Sequence, residues 1–240
     1  MYNAIVTLNL YDYMCDNVRY SFINAANRWG CKYYEITKDY VNEQQLFFNK
    51  IIGIKNYILS NSNINKVLYL DSDMLIRKDT PNPFNLFTND DLVYMVKDVY
   101  PSYTKKFLDE KYYPSIIYPC LDTAHKRLNL IKNFDQVYLE YAGWFCNCGM
   151  YLFTPRNCLK EIYSFIYNMP EYNAASFDEQ ASWNYILKYS NKLTHVDYTW
   201  NYINPDISSG KMNNYIYHFT GFNNHINLKK MVLTYDWKSV

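Results

Sequence analysis

The chain is 240 residues long and nearly neutral, with 24 basic and 23 acidic side chains and a formal charge of +1. Near-neutrality excludes the basic field that general nucleic-acid binding requires, and no apolar run approaches the ~20 residues of a membrane span. The length suits one compact α/β domain, which buries roughly 70–75% of its unfolded surface and needs no disulfide staple.

Residues 3–8 read as a buried opening strand. Asp16 is placed to cap a helix carrying Val18, Phe22, Ala25, Ala26 and Trp29 at helical spacing, and Gly30 ends it. Residues 32–36 read as a second strand. A helix over about 43–60 puts Leu46, Phe47, Ile51, Ile54 and Ile58 on one face. After a polar loop at 61–65 comes the apolar run Lys66-Val67-Leu68-Tyr69-Leu70, and then Asp71-Ser72-Asp73. Strand, helix, strand, helix, strand predicts parallel pairing with helices on the faces of the sheet, and ligands in such sheets bind beyond the carboxyl ends of the strands.

Further along, 92–96 and 144–153 read as strands, and 100–118 as a loop-heavy excursion rich in Pro and Tyr. Helices are expected over 159–167 and 179–189, short strands near 192–196 and 216–219, then an irregular tail. With no repeat and no linker, 1–240 reads as one domain. The opening residues Met1 to Ile5 lack the basic and apolar regions of a leader, and the six cysteines include no CxxC pair. Both features suggest a cytoplasmic chain with free, buried thiols.

Two carboxylates one residue apart, at the exit of an apolar strand, can turn toward one divalent ion that also bridges phosphate oxygens. A bare Asp-x-Asp is equally an acidic turn or helix cap. The apolar run before it favours the metal reading, because acids at the end of a buried strand are costly unless their charge is compensated.

Residues 66–76, continuing to Asn82-Pro83-Phe84-Asn85-Leu86-Phe87, resemble the metal segment of glycosyltransferase family eight, which includes glycogenin and bacterial lipopolysaccharide galactosyl- and glucosyltransferases. The resemblance implies a GT-A fold: a Rossmann-like mixed sheet flanked by helices, with a nucleotide-binding half over about 1–96 and a sugar and acceptor half over about 97–240. It implies a UDP-sugar donor, Mn²⁺ (or Mg²⁺) as cofactor, and transfer of a hexose-type sugar with retained configuration. The acceptor would be a glycan, a protein or a small molecule.

Three later segments match in order. Phe145-Cys146-Asn147-Cys148-Gly149 is similar to a family strand whose Asn faces the donor sugar; it also reads as a strand with Gly at a close backbone approach. Glu179-Gln180-Ala181-Ser182-Trp183-Asn184 resembles the family's Asp-Gln-x-x-x-Asn. The resemblance therefore implies Asp178 or Glu179 as the sugar-side acid and Gln180 at the donor, although acids also suit a helix N-terminus. His218-Phe219-Thr220-Gly221 resembles the family's His-x-x-Gly, which implies His218 as a third metal ligand beside Asp71 and Asp73, with Gly221 at the donor.

By the same resemblance Thr7, Leu8 and Asn9 end the first strand at the nucleotide, Tyr11 or Tyr13 stacks on uracil, and Ser72 joins the donor site. Lys50 matches a basic residue that reaches the donor, or else lies on a solvated helix face. Relatives continue from His-x-x-Gly with Lys-Pro-Trp. Here Asn224 holds the Lys position, and His225, Lys229 and Lys230 are the nearby positive candidates. A nucleotidyltransferase would want a Gly-rich basic loop after the first strand, and 7–13 contains neither Gly nor Lys. A catalytically silent sugar- or nucleotide-binding module is the remaining alternative.

Overall fold

The computed structural model describes residues 1–10, 14–41, 48–98, 112–128, 144–169, 178–203 and 214–220. The strands are β1 (Tyr2–Leu8), β2 (Lys32–Ile36), β3 (Ile64–Leu70), β4 (Met74–Ile76), β5 (Val93–Lys97), β6 (Cys146–Phe153), β7 (Leu193–Val196), β8 (Tyr202–Ile203) and β9 (Ile216–His218). The helices are α1 (Asp16–Trp29), α2 (Asn49–Ser60), α3 (Pro83–Leu86), α4 (Tyr112–Leu128), α5 (Pro155–Tyr167) and α6 (Asp178–Tyr189).

Six strands form one sheet in the order β2-β1-β3-β6-β5-β7, and β4-β9-β8 form a second, small one. β1 pairs in parallel with β2 and β3, as the alternating start predicts. β6 runs against both β3 and β5, and β7 runs parallel to β5. The sheet is therefore mixed. The carboxyl ends of β1, β2, β3, β5 and β7 still share one edge, where β6 begins.

Strand periodicity decides which residues go to which face. Ala4, Val6, Val67, Tyr69, Tyr151 and Phe153 point to one side, where they pack with Ile51, Ile54, Ile162, Phe165, Trp183 and Leu187 of α2, α5 and α6. Ile5, Leu68, Leu70, Met150 and Leu152 point to the other side, against Val18, Phe22 and Trp29 of α1 and against the small sheet. With helices on one side and a helix plus three short strands on the other, the central strands are covered on both faces. That is why β3 from Val67 and β6 from Cys148 run apolar residue after residue and do not alternate.

Several boundaries differ from the sequence reading. Asp16 does not cap α1. Cys15 holds the N-cap position without a side-chain bond, and Asp16 lies in the first turn, where its charge suits the helix dipole. Gly30 ends the helix as expected, with φ of 64°, in the left-handed region that favours glycine. α5 starts four residues early because Pro155 is preset for the first helical position. The tail of the expected 100–118 loop is helix: α4 runs from Tyr112, and Cys120, Leu121 and Ala124 bury against Ala181 and Tyr185 of α6. β4 was not anticipated from its three residues, since its strand form depends on pairing with β9, some 140 positions away. All six cysteines are free thiols.

Under the end of β1, Glu35 gathers three donors. Its carboxylate accepts from Asn9 Nδ2 at 2.7 Å, Arg19 Nε at 2.8 Å and the Tyr33 hydroxyl at 2.8 Å. Partial burial alone would raise this carboxyl, but the bonds from Arg19, Asn9 and Tyr33 outweigh it and hold the group below its usual range. A carboxyl depressed by folding stabilises the fold above its unfolded pKa, and that contribution is lost as pH falls through the folded value. Glu35→Gln should therefore cost roughly 1 kcal/mol at neutral pH and flatten the loss of stability between about pH 5 and pH 2. Urea denaturation across that range checks it, and an acid limb as steep as the parent's would refute it.

Candidate active site

β3 is buried to its last residue, Leu70, and the next residue faces the edge of the sheet. The Asp71 N–H donates to Gly149 O at 2.8 Å, continuing the β3–β6 pairing one position beyond the strand. The Met74 N–H then donates to Asp71 O at 3.2 Å, turning the chain into β4. There Met74 pairs with His218, and the Phe219 N–H donates to Asp73 O at 3.0 Å. The turn thus holds two carboxylates, and the small sheet brings the imidazole to them.

Asp71, Asp73 and His218 each offer one ligand atom, all within 4.8 Å of one another. His218 Nε2 lies 3.2 Å from Asp73 Oδ1 and 3.8 Å from Asp71 Oδ2. Two carboxylates and an imidazole fit a divalent ion of the Mn²⁺ type, which accepts both oxygen and nitrogen. Burial works against charge on His218, but the Asp73 and Asp71 carboxylates outweigh it and raise the imidazole above its ordinary value. The His218 ring rests on the backbone at Gly149. A Cβ there would come 2.2 Å from His218 Cε1, so only glycine leaves the imidazole its place.

Lys50 reaches the same acids from α2. Its Nζ is 3.0 Å from Asp71 Oδ1 and 3.7 Å from Glu179 Oε2. The Tyr69 hydroxyl donates to Asp71 Oδ1 at 2.7 Å. Lys50 is 6% exposed, so it is no solvated helix lysine. Burial opposes its charge, yet Asp71 and Glu179 prevail and hold the ammonium above its usual range. Glu179 is 2% exposed. Burial pushes its carboxyl up to about 7, with Lys50 opposing and Asp71 adding to the rise. Its Oε1 is buried and has no hydrogen-bond partner among the described residues.

The first turns of α6 are tied to β6 by two amides. Gln180 Oε1 accepts the Cys148 N–H at 3.2 Å, and Gln180 Nε2 donates to Asp98 at 2.7 Å. Asn184 Oδ1 accepts the Cys146 N–H at 2.7 Å and its Nδ2 returns a bond to Cys146 O at 2.8 Å. These bonds set Glu179 beside Lys50. Asn147 Oδ1 accepts the Gly149 N–H at 2.8 Å and Asn201 Nδ2 at 2.9 Å.

Lys50, Asp71, Asp73, Asn147, Gly149, Glu179 and His218 are thus linked through short contacts at one edge. Gln180 joins them through its bond to β6. Ser72 lies in the turn, half-buried. Thr7 and Leu8 end β1 at the same edge, and the Thr7 hydroxyl is buried without a partner among the described residues. The Asn9 side chain is taken up by Glu35 and by the Met14 N–H, which it accepts at 3.1 Å. Asp178 begins α6, and its side chain lies outside the described residues, as do Tyr11, Tyr13, Gly221, Asn224, His225, Lys229 and Lys230.

Sequence reasoning missed Tyr69, Asp98 and Asn201. Tyr69 passed for one more apolar strand residue, and only its place two before Asp71 hinted that its hydroxyl would reach the carboxylate. Asp98 follows β5 at the site edge, a position the sheet order alone reveals. Asn201 sits in irregular chain with no periodic signal.

No protein-family model matches the chain, and no curated protein matches it in sequence. Among solved structures it resembles a glycosyltransferase involved in glycosylation of the major capsid of PBCV-1, with a TM-score of 0.61 and 13% identity over 98% of this chain and 100% of that one. It also resembles the glycosyltransferase GlyE of Streptococcus pneumoniae TIGR4, with a TM-score of 0.54 and 13% identity over 98% of this chain. This chain spans 61% of GlyE. At such identities the likeness shows the fold, which is GT-A, and it does not single out family eight. Among the described residues no helix is long and apolar enough to cross a membrane.

Removing the buried cation should leave Asp71 and Glu179 facing each other uncompensated. Lys50→Met is expected to cost about 3 kcal/mol, at the lower end for a broken buried pair because Asp71 keeps some solvent contact. Adding Glu179→Gln should restore part of that loss. A double-mutant cycle in urea measures both, and strictly additive effects would show that the two groups do not interact.

Proposed function

We propose that the chain is a metal-dependent glycosyltransferase that moves a hexose-type sugar from a UDP-sugar to an acceptor hydroxyl, with retention, and that 1–240 acts as one domain. The observation that carries this reading is the convergence of Asp71, Asp73 and His218 at the carboxyl edge of a GT-A sheet, beside the buried Lys50–Glu179 pair. The acceptor is a glycan, a protein or a small molecule.

Asp71, Asp73 and His218 hold the ion, Mn²⁺ in preference to Mg²⁺ because of the imidazole. When bound, the ion supplies positive charge to the diphosphate that leaves with the nucleotide. Lys50 and the Tyr69 hydroxyl orient Asp71. Thr7, Leu8 and Asn9 end the strand beneath the nucleotide, with Tyr11 or Tyr13 on the base and Gly221 near the phosphates. Glu179 turns its unpartnered Oε1 toward the transferred sugar, where it accepts from a hydroxyl or steadies positive charge on the ring. Asp178 is the second candidate for that role. Asn147 and Gln180 shape the sugar side, and the bonds of Gln180 to Cys148 and Asp98 keep α6 closed on β6.

UDP affinity should depend on a divalent ion, with Mn²⁺ better than Mg²⁺. Calorimetric titration with UDP in chelator and in each metal checks this, and equal affinity in chelator and Mn²⁺ would sink the metal reading. Asp73→Asn should lower both UDP–metal binding and turnover, since a neutral amide is a poor ligand for a hard cation. Glu179→Gln should leave UDP affinity near the parent's and lower donor hydrolysis by roughly 10²–10⁴-fold, as expected for a positioned group felt mainly in the transition state. Parent-like hydrolysis by both Glu179→Gln and Asp178→Asn would leave these acids as helix-terminal charges only. Replacing the stacking residue, by Tyr11→Ala or Tyr13→Ala, should weaken UDP binding by roughly 1–3 kcal/mol. UDP binding without hydrolysis or transfer of any UDP-sugar would instead favour a silent binding module.

A further inference from the structure

A histidine that ligates a metal through one nitrogen needs its other nitrogen engaged, because that bond fixes the tautomer and the ring plane. His218 Nδ1 lies 2.9 Å from Asn201 Oδ1, in a place where water has no access: Asn201 is 0% and His218 2% exposed. Amide and imidazole polarity can be assigned here from one atom whose role is not in question. The Gly149 backbone nitrogen can only donate. It donates to Asn147 at 2.8 Å, so the Asn147 atom there is the oxygen. That same oxygen lies 2.9 Å from the Asn201 side chain, so the Asn201 atom facing it is the NH₂ group. The Asn201 oxygen therefore faces His218, and it can only accept. Nδ1 must carry a proton. Flipping either amide would set donor against donor or oxygen against oxygen in a buried site, where an unmet polar group costs about 1–3 kcal/mol.

We infer that Asn201 is a positioning residue for His218: through Asn147 it relays the polarity of the Gly149 N–H, holds a proton on the imidazole Nδ1, and leaves Nε2 as the nitrogen that faces Asp71 and Asp73. Gly149 serves the arrangement twice, as the donor that sets the relay and as the missing Cβ that gives the ring its place. The relay joins three segments distant in sequence: β6, the chain just before β8, and β9. In its metal consequence the inference rests on the proposed ion site. The Nδ1 proton itself does not: without an ion Nε2 faces the Asp73 carboxylate at 3.2 Å and can carry a second proton, and only that one gives way to a metal.

Metal-free, ¹⁵N-labelled protein should show a proton on Nδ1 of His218, alone or together with one on Nε2, in its two-bond ¹H–¹⁵N pattern, identified by its loss in His218→Gln. A parent pattern with a proton on Nε2 and none on Nδ1 overturns the relay, whatever the variants do. Asn201→Leu should shift His218 toward the Nε2–H form and weaken Mn²⁺ binding, titrated with the metal alone, by roughly 10–100-fold. Asn147→Asp keeps an oxygen at the shared position and should keep the parent tautomer. An Asn201→Leu protein with parent tautomer and parent Mn²⁺ affinity would also overturn the assignment. If the parent binds no Mn²⁺ at all, the metal reading of the site fails, and the ring spectra still decide the relay.

Discussion

A buried ammonium between two carboxylates sets the terms for the rest of this structure. Lys50 lies within ion-pair distance of Asp71 on one side and Glu179 on the other, and it is almost fully withdrawn from water. Carboxylates so placed would be protonated or destabilising if unpaired. With Lys50 between them they form a compensated cluster, and three separate elements must be held together to keep it so. α2 supplies the cation, the end of β3 one acid and the start of α6 the other. The two-sided core secures α2 and α6 against the same face of the sheet, and that packing fixes the spacing of the three charges.

The antiparallel strand β6 is the second constraint. It enters a run of parallel strands in the reverse direction, so its first residues lie beside the last residues of β3 and β5. Polar groups at the start of β6 therefore meet acids at the ends of its neighbours. Gly149 accepts the Asp71 N–H through its carbonyl, donates its own N–H to Asn147, and lets the His218 ring lie against its backbone. Any side chain at this position would separate the imidazole from the acids. The small sheet depends on the same turn, since β4 leaves Asp73 already aimed at β9.

Charge and hydrogen bonding are divided between two sides of the site. On the His218 side, the neutral amide of Asn201 meets the ring nitrogen opposite the one that faces the two aspartates. On the Lys50 side the cation holds Asp71 firmly and Glu179 more loosely, at 3.0 and 3.7 Å. Glu179 keeps one oxygen without a protein partner among the described residues. An acid held by one oxygen and unpartnered at the other among the described residues is suited to receive a hydroxyl or a developing positive charge, whereas Asp71, gripped by Lys50 and Tyr69, is suited to stay in place.

The order of β1, α1, β2, α2 and β3 was legible in the sequence because it depends on local signals: apolar runs of strand length, helical spacing, and Gly30 as a stop. Asp71 and Asp73 were legible for the same reason, being adjacent in sequence and at the end of an apolar run. The resemblance to glycosyltransferase family eight brought His218 into consideration, since a lone histidine in a short strand carries no local mark of function. Tertiary structure decided what depended on distant partners. β4 is a strand only through its pairing with β9, and Lys50 is a buried charge partner and not a surface lysine because α2 packs that face inward. Asn9 spends its side chain on Glu35, a residue of the neighbouring strand. Asn201 matters through contacts with residues 54 and 17 positions away. Local sequence determines propensity and pattern over a few turns of chain, whereas the polarity of a buried amide is set by whichever donor the fold brings within 3 Å of it.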